Sequence, residues 1–567
     1  MRSELDRRMD ETMAAVTAPG GLLPVGSIER WGASLPTITV APPSLTQYFQ
    51  HYCTQHGDLT FLVAGDERLS FAQTWEAAER VAHALLARGV VPGDRIGIAG
   101  RNSPSWVVAY MGIVMAGGIA TLLNGWWQPE ELAAAIADVD CSLIVADGPR
   151  ARRLARIDGL AATVIEIDDT LPLAQAIAPL VAGAAARDLP ALGPDDPATI
   201  LFTSGSTGKS KGALSDHRAV LGGTLNFLSQ AVMMLGIATQ DGNAPQGQPV
   251  TMLTIPLFHV TAEITVLLQS FALGRRIVLM SKWDAAEAMR LIEAERVSYF
   301  VGVPLMSFEI LNHPDRDRYD LSSVTDFAAG GAPRPVEHVR RIEAEMGGSF
   351  PLIGYGLTET NAVGTGNWRS NYLAKPDSAG RPSVPLVQLA IVDDAGRHLP
   401  QGERGEVAIR SICNFREYWN NPAATAAAFT ADGYFRTGDI GYLDEDNYLF
   451  IVDRKKDIII RGGENISCQE VEAALYAHPA VLEAAVFGLA DEKFGEVPVA
   501  VVHSDGGVGE EALALFLAEH IAAFKIPARI WFAPAPLPRL GTEKIDKVGL
   551  RATYGDAVRA AAMTACA

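Results

Sequence analysis

Eleven consecutive residues, Phe202-Thr203-Ser204-Gly205-Ser206-Thr207-Gly208-Lys209-Ser210-Lys211-Gly212, hold five hydroxyls, three glycines and two lysines. Glycines let backbone N–H groups close on phosphate oxygens, hydroxyls add donors, and lysines add charge. The run follows the apolar stretch Ala198-Thr199-Ile200-Leu201. It therefore reads as a buried strand feeding an anion-wrapping loop rather than as Gly/Ser-rich surface. A Walker loop is excluded, because that pattern needs Gly or Ala five residues before Gly208-Lys209-Ser210, where Thr203 stands.

Other chemically loaded turns also follow short apolar strands, and ligands of α/β sheets sit beyond such strand ends. Gly330-Gly331-Ala332-Pro333 comes after Phe327-Ala328-Ala329 and is either a tight turn or a wall small enough for a flat purine. Gly354-Tyr355-Gly356-Leu357-Thr358-Glu359-Thr360 offers a ring to stack, a hydroxyl for phosphate and a carboxylate for a metal. Tyr434-Phe435-Arg436-Thr437-Gly438-Asp439 ends in an acid suited to a ribose diol, or merely a solvated one.

Taken in order, these runs resemble the motifs of the adenylate-forming superfamily, which includes acyl- and aryl-CoA synthetases, luciferases and peptide-synthetase adenylation domains. The resemblance spans roughly residues 60–550. It implies that Thr203, Ser204, Gly205, Ser206, Thr207, Gly208 and Lys211 handle the β,γ-phosphates of ATP. By the same likeness Gly331, Ala332 and Tyr355 form the adenine pocket, Thr358 meets the α-phosphate, and Glu359 binds Mg²⁺. Asp439 and Arg454 match the ribose anchors, and Lys456 the hinge before a small mobile domain. Lys544, in Pro538-Arg539-Leu540-Gly541-Thr542-Glu543-Lys544-Ile545, matches the mobile lysine that bridges carboxylate and α-phosphate. Ser210, Leu540, Glu543 and Asp453 depart from the family's usual proline, threonine, glycine and glycine, and none of these removes a charged chemical group.

The implied chemistry is ATP-dependent ligation of a carboxylic acid to coenzyme A through an acyl-adenylate. Leu257-Phe258-His259-Val260-Thr261 lacks the acid that would hold a substrate ammonium, so an uncharged acyl tail is expected. His259, Val260, Val303, Gly330 and Val363 are the expected acyl pocket, with His259 either gating the carboxylate or packing in a wall. Gly462 and Gly463 match the strand that lines the pantetheine channel. A fatty, aryl or arylalkanoic acid is favoured over acetate. A loader of an acyl-carrier protein and a luciferase-like or silent nucleotide-binding homologue remain as alternatives.

The elements that must position these groups follow from periodicity. Phe71, Trp75, Ala78, Val81, Ala82 and Leu85 recur at helical spacing, and Arg95–Ala99, Ser142–Ala146, Thr251–His259, Arg276–Met280 and Tyr299–Pro304 read as core strands. Strands alternating with helices predict helix-covered, mostly parallel α/β sheets. Residues 170–197 read as a surface connection. Period-two alternation at Val387, Leu389 and Ile391, then Val407 and Ile409, predicts a small antiparallel sheet or barrel. Helices Gln469–Ala477 and Glu510–Phe524 belong to a final α+β unit. The expected division is an extension at 1–43 (a polar helix and an irregular segment), a large domain at 44–454 and a small one at 455–567.

Length and composition agree: 567 residues exceed one core, and 48% hydrophobic with 20% charged residues is globular. A net charge of −19 argues against a nucleic-acid surface, which needs basic stripes. Five scattered cysteines fit a reduced cytoplasmic compartment, and the charged start Met1-Arg2-Ser3-Glu4-Leu5-Asp6 lacks a signal-peptide core. Trp106 to Leu123 carries no charge over eighteen residues, yet Gly117-Gly118 splits it into a buried helix and a core strand, so no membrane span is expected. A monomer or homodimer is expected.

Overall fold

The computed structural model describes residues 2–203, 210–332, 334–346, 348–462, 464–491, 493–540 and 544–555. The chain divides into two compact units, the first comprising Met1–Pro333, Val339–Leu389 and Ile409–Phe435. Parallel strands Arg95–Ala99, Ile119–Leu122, Leu143–Asp147, Thr163–Ile167 and Pro197–Phe202 make most of its seven-stranded sheet. Gly212–Asp216 and Glu417–Tyr418 continue that sheet antiparallel at one edge.

A nine-stranded sheet runs in the order Arg381–Pro382, Gly364–Trp368, Phe350–Gly356, Asp326–Ala329, Tyr299–Gly302, Val250–Leu253, Arg276–Leu279, Thr60–Ala64, Glu67–Ser70. The six strands from Phe350–Gly356 to Thr60–Ala64 are parallel, and the outer three pair antiparallel. Helices cover both faces, which is why strand residues such as Ile96, Val145, Met252 and Phe300 are buried to 1% exposure or less. In each sheet the switch from parallel to antiparallel is made by a hairpin. One encloses residues 203–211 and the other residues 357–363, the two runs richest in phosphate- and metal-binding chemistry.

The uncharged stretch resolves as helix Pro104–Met115, fully buried, followed by the buried strand Ile119–Leu122. A different helix, His217–Gln240, is long and apolar enough to cross a membrane, but 67% of that window is buried inside the fold. Its apolar surface is core. The strand expected over Thr251–His259 ends at Leu253, where a turn begins. Residues 170–197 are less exposed than expected. Short helices Leu173–Ala176 and Ala178–Val181 bury Leu173, Ala176 and Leu180.

The N-terminal extension is also more ordered than its composition indicates. Helix Glu4–Thr17 is followed by the antiparallel hairpin Val25–Arg30 and Ala33–Ile38, not by irregular chain. Trp31 and Gly32 both take positive φ (52° and 76°) in its two-residue turn, the geometry that matches strand twist. Asp6 and Asp10 of the helix pair with Arg381, and Arg8 pairs with Asp241.

The second unit comprises Arg334–His338, Ala390–Ala408 and Arg436–Ala567. The expected boundary at residue 454 is therefore displaced. The antiparallel sheet Gln388–Val392, Gly405–Arg410, Phe435–Leu443, Leu449–Arg454 groups largely with the C-terminal part and shares no strand with the parallel sheets. A separate five-stranded sheet follows. Helix Glu510–Ala518 stops well short of the expected Phe524, and helix Cys468–Tyr476 matches expectation within a residue. Cys53, Cys141 and Cys413 are buried and unbridged, and burial pushes their thiols up to about 12, which leaves them poor nucleophiles.

Glu263 is an unusual core residue. It is fully buried on the π-helix Thr261–Leu268, and Tyr110 Oη donates to its Oε1 at 2.7 Å. Burial raises its carboxyl from 4.5 to about 7, against the opposing effect of the Tyr110 bond. The folded-state value lies above the unfolded one, so the stabilising contribution is complete below about pH 4.5 and lost as pH rises through 7. Glu263→Gln keeps the acceptor for Tyr110 and cannot ionise. Thermal melts should show the variant gaining roughly 2–3 kcal/mol relative to wild type between pH 5 and pH 8. A pH-independent difference would contradict this.

Candidate active site

The mouth of the first hairpin is pinned by its own backbone. Thr203 N donates to Lys211 O at 3.0 Å, and Lys211 N donates to Thr203 Oγ1 at 3.3 Å. Ser204, Gly205, Ser206, Thr207 and Gly208 lie outside the described residues. Lys211 projects its ammonium over the Tyr418 ring, 4.7 Å from the centroid. A cation thus stands at the base of the loop whose hydroxyls and glycines suit phosphate.

The second hairpin carries Thr358 and Glu359 on a single 3₁₀ turn, Thr358–Thr360. The turn is tight because Asn361 and Ala362 adopt positive φ (47° and 65°) and because position 356 is glycine. A Cβ there would lie 1.9 Å from the Ala362 carbonyl oxygen, so no other residue fits. Thr360 Oγ1 donates to Val363 O at 2.6 Å and accepts from Leu357 N at 3.0 Å. Thr358 is left partly exposed, and Glu359 is 8% exposed. Tyr355 lies opposite Thr365 in the same hairpin.

Segment 411–419 joins the two hairpins. Phe415 N donates to Glu359 O at 2.7 Å, Arg416 N to Leu214 O at 2.7 Å, and Trp419 N to Gly212 O at 2.8 Å. Asn361 Nδ2 donates to both Ser215 Oγ (3.0 Å) and Cys413 O (2.8 Å). Tyr418 Oη donates to Glu359 Oε1 at 2.7 Å, and burial together with the Glu359 charge raises the Tyr418 hydroxyl far above its ordinary range. Tyr418 therefore carries the Lys211 ammonium on its face and the Glu359 carboxylate at its tip. The sequence reading missed it, because an isolated tyrosine in Phe415-Arg416-Glu417-Tyr418 has no spacing that marks chemistry.

Among the described residues no cluster of three or more His, Cys, Asp or Glu side chains is placed to hold a metal.

Gly330, Gly331 and Ala332 follow strand Asp326–Ala329, with Gly331 at φ 78°. A Cβ on Gly330 would meet only Gly354 O at 3.5 Å and Thr261 Cγ2 at 4.0 Å, so Gly330 faces open space between them. His259 sits in the turn before the π-helix, and Thr261 N donates to its Nδ1 at 3.3 Å, which leaves Nε2 to carry the proton of the neutral ring. Val260 and Val363 pack in the large core cluster, Val363 with no exposure. Val303 does not join them. It packs with Phe300 and Met306 in the separate cluster that includes residues of helices Ala285–Glu295 and Pro304–Asn312.

In the second unit, Asp439 and Arg454 are directly opposed in the hairpin Phe435–Leu443 and Leu449–Arg454, with Arg454 Nε 3.2 Å from Asp439 Oδ1. Lys544 stands at the base of a loop closed by the Arg539–Ile545 bridge and by Leu540 N donating to Lys544 O at 2.8 Å. Burial and then the Arg454 charge lower its ammonium to about 8, against the pull of Asp439. Lys456 is exposed two residues after Arg454. Gly462, at φ 60°, begins the turn between strands Ile459–Arg461 and Glu464–Ile466, and Gly463 lies outside the described residues.

The family model described as AMP-binding enzyme matches residues 49–419, and the model for the AMP-binding enzyme C-terminal domain matches residues 470–544. The long-chain-fatty-acid–CoA ligase FadD13 of Mycobacterium tuberculosis is 33% identical over 497 residues, covering 87% of this chain and 94% of its own. A feruloyl-CoA synthase of Amycolatopsis is 34% identical over 499 residues, covering 87% and 95%. The ATP-bound crystal structure of MatB from Rhodopseudomonas palustris superposes with a TM-score of 0.80 at 28% identity, over 90% of this chain and 99% of that one.

Tyr418 generates a test by binding alone. Without its hydroxyl the Glu359 side chain must be ordered by the ligand, at about 0.5–1.5 kcal/mol. Calorimetry on Tyr418→Phe should show Mg·ATP bound several-fold more weakly, up to about tenfold, with metal-free ATP little affected. Equal weakening of both would remove Tyr418 from the metal-facing carboxylate.

Proposed function

This chain belongs to the AMP-binding enzyme family, and on that premise we propose that it is an ATP-dependent carboxylate–CoA ligase. The carrying observation is the pairing of the Lys211 cation and the Glu359 carboxylate on one tyrosine, at the mouths of two hairpins. In the first half-reaction a carboxylate oxygen attacks the α-phosphorus of ATP, the bond to the β-phosphate oxygen breaks, and pyrophosphate leaves. In the second, the thiolate of coenzyme A attacks the acyl carbon and AMP departs.

Each of this chain's groups has a positional or electrostatic part, and no covalent protein nucleophile is needed. Lys211 and the loop from Thr203 to Gly208 hold the outgoing phosphates. Thr358 donates to the α-phosphate, and Gly331, Ala332 and Tyr355 border the adenine. Asp439 takes the ribose hydroxyls with Arg454 beside it. Glu359 would hold Mg²⁺, which supplies charge neutralisation on the phosphate oxygens when bound. Lys544 places a cation between two anions that must approach each other, a contact typically worth about 3–4 kcal/mol. Lys456 is the hinge about which the residue pair Gly462 and Gly463 exchanges with Lys544 at the substrate. The acid has an uncharged tail, fatty, aryl or arylalkanoic, which agrees with the names of the ligases this chain is similar to.

Pyrophosphate and thioester measured across fatty acids, benzoates, cinnamates and arylpropionates, with and without CoA, test the function. Pyrophosphate release with thioester formed from free CoA is expected. Release without thioester would move the acceptor to a carrier protein, and no release with any acid would contradict the assignment.

Lys544 gives two sharper outcomes. Lys544→Ala should abolish adenylation while leaving thioester formation from supplied acyl-adenylate largely intact, and equal loss of both would contradict the exchange. The working form is the protonated one, so kcat/KM for adenylation should fall as pH rises through about 8. A profile flat to pH 10 would remove Lys544 as the bridging cation.

A further inference from the structure

Two charged residues of the second unit have no part in the chemistry above. Asp453 replaces the family's usual glycine, and Lys547 follows Lys544 by three positions. Asp453 precedes Arg454 in strand Leu449–Arg454 and is buried. Its Oδ2 accepts from Cys468 N and, at 3.4 Å, from Gln469 N. These are the first N–H groups of helix Cys468–Tyr476, the end at which an anion is favoured. Ser467, which caps the same helix, donates its hydroxyl to Val452 O at 2.7 Å. The hairpin that carries Arg454 is thus tied to the start of this helix.

The loop that carries Lys544 is tied to the same helix one turn further on. Residues 547–555 are helical, and Asp546 caps them, its Oδ1 accepting from Gly549 N at 2.9 Å. Lys547 is the first residue of that helix, where a cation is disfavoured. Glu472 of helix Cys468–Tyr476 meets it there, with Oε1 2.6 Å from the ammonium. Val486 N of strand Val481–Asp491 donates to the same oxygen at 2.7 Å and so directs the carboxylate. The two side chains are 32% and 14% exposed, so this is not a freely solvated surface pair of little worth. On the other side of the loop, Glu483 of that strand accepts from Leu537 N at 2.5 Å and pairs with Arg539. Val471 and Leu475 bury the helix against Val486 and Val502, which holds it to the sheet.

We infer that Lys547 and Glu472 are positioning residues for Lys544, and that with Asp453 they make helix Cys468–Tyr476 a cross-brace fixing Lys544 relative to Arg454. This rests on the ligase reading and names what holds its bridging cation. The brace acts through Lys544 and not on substrate. Lys544 faces Arg454 and Asp439, and burial followed by the Arg454 charge keeps its ammonium low. A loosened brace returns that ammonium toward the value of a solvated lysine.

The test uses the full chain and its Lys547→Met, Lys547→Arg and Glu472→Gln variants, with melting temperatures as the folding control. Lys547→Met should lower kcat/KM for adenylation about a hundredfold, the scale of a small misplacement, while thioester formation from supplied acyl-adenylate stays within about threefold. Glu472→Gln keeps an acceptor for Val486 N and should lower adenylation about tenfold, whereas Lys547→Arg keeps the charge and should stay within about threefold of wild type. A second readout needs no turnover. Labelling of Lys544 by an amine-acylating ester, read by mass spectrometry across pH, should have its midpoint near pH 8 in wild type and at about 10 in Lys547→Met. Glu472→Gln carries both readouts where the methionine variant fails to fold. In folded variants an unmoved midpoint overturns the brace, and so does equal loss of both half-reactions, the result of a merely structural pair. A moved midpoint in a protein that releases no pyrophosphate with any acid keeps the brace and removes the ligase reading.

Discussion

The bond from Tyr418 Oη to the buried Glu359 carboxylate is the contact on which the site's first half depends. It closes a chain of hydrogen bonds through segment 411–419 that ties the hairpin at 203–211 to the hairpin at 357–363. The two hairpins belong to different sheets, so without this clamp their tips would be positioned independently. A hydrogen bond to a charged group is worth about 1.5–3 kcal/mol, enough to fix the carboxylate's direction before any ligand arrives. The ring face of the same residue orients Lys211. Opposite charges are thereby set on one ring of a protein that is acidic as a whole.

Placement at the last parallel strand of each sheet has a physical reason. Parallel strands end together and direct their loops to one side, where ligands of α/β sheets collect. An antiparallel return strand then pins the loop at both ends, as the Thr203–Lys211 pair does. In the second unit the charged groups lie on the same kind of element. Asp439 and Arg454 face each other across a hairpin, and Lys544 sits at a loop closed by a single bridge. A lysine held near neutrality by burial and a neighbouring guanidinium can gain or lose its charge readily as its surroundings change.

Much of this was legible from residue types alone. Strand and helix periods located most of the parallel strands within a residue or two, because burial on both faces leaves uninterrupted Val, Ile and Ala runs, but the run Thr251–His259 leaves the sheet at Leu253. Glu359, Asp439 and Lys544 stand out as candidates because a charged group after a glycine turn has few structural uses. Tyr418 was not, since its importance comes from what it touches 59 residues away. Val303 packs in a different core cluster from Val260 and Val363, a separation that no spacing in the sequence marks. The hairpin at 25–38 was hidden by a Trp at a positive-φ position, which turn chemistry disfavours. The end of helix Glu510–Ala518 was unreadable in an alanine-rich stretch with no breaker before residue 518. Ser204 to Gly208, the most recognisable run, stays a matter of residue chemistry.

The central claim is that these groups activate a carboxylate by joining it to AMP. The most direct measurement supplies an acid labelled with heavy oxygen in its carboxylate, lets the reaction turn over once with ATP and CoA, and examines the phosphorus products by NMR. The account predicts one labelled oxygen in AMP and none in pyrophosphate. Label in inorganic phosphate, with ADP as the nucleotide product, would contradict it.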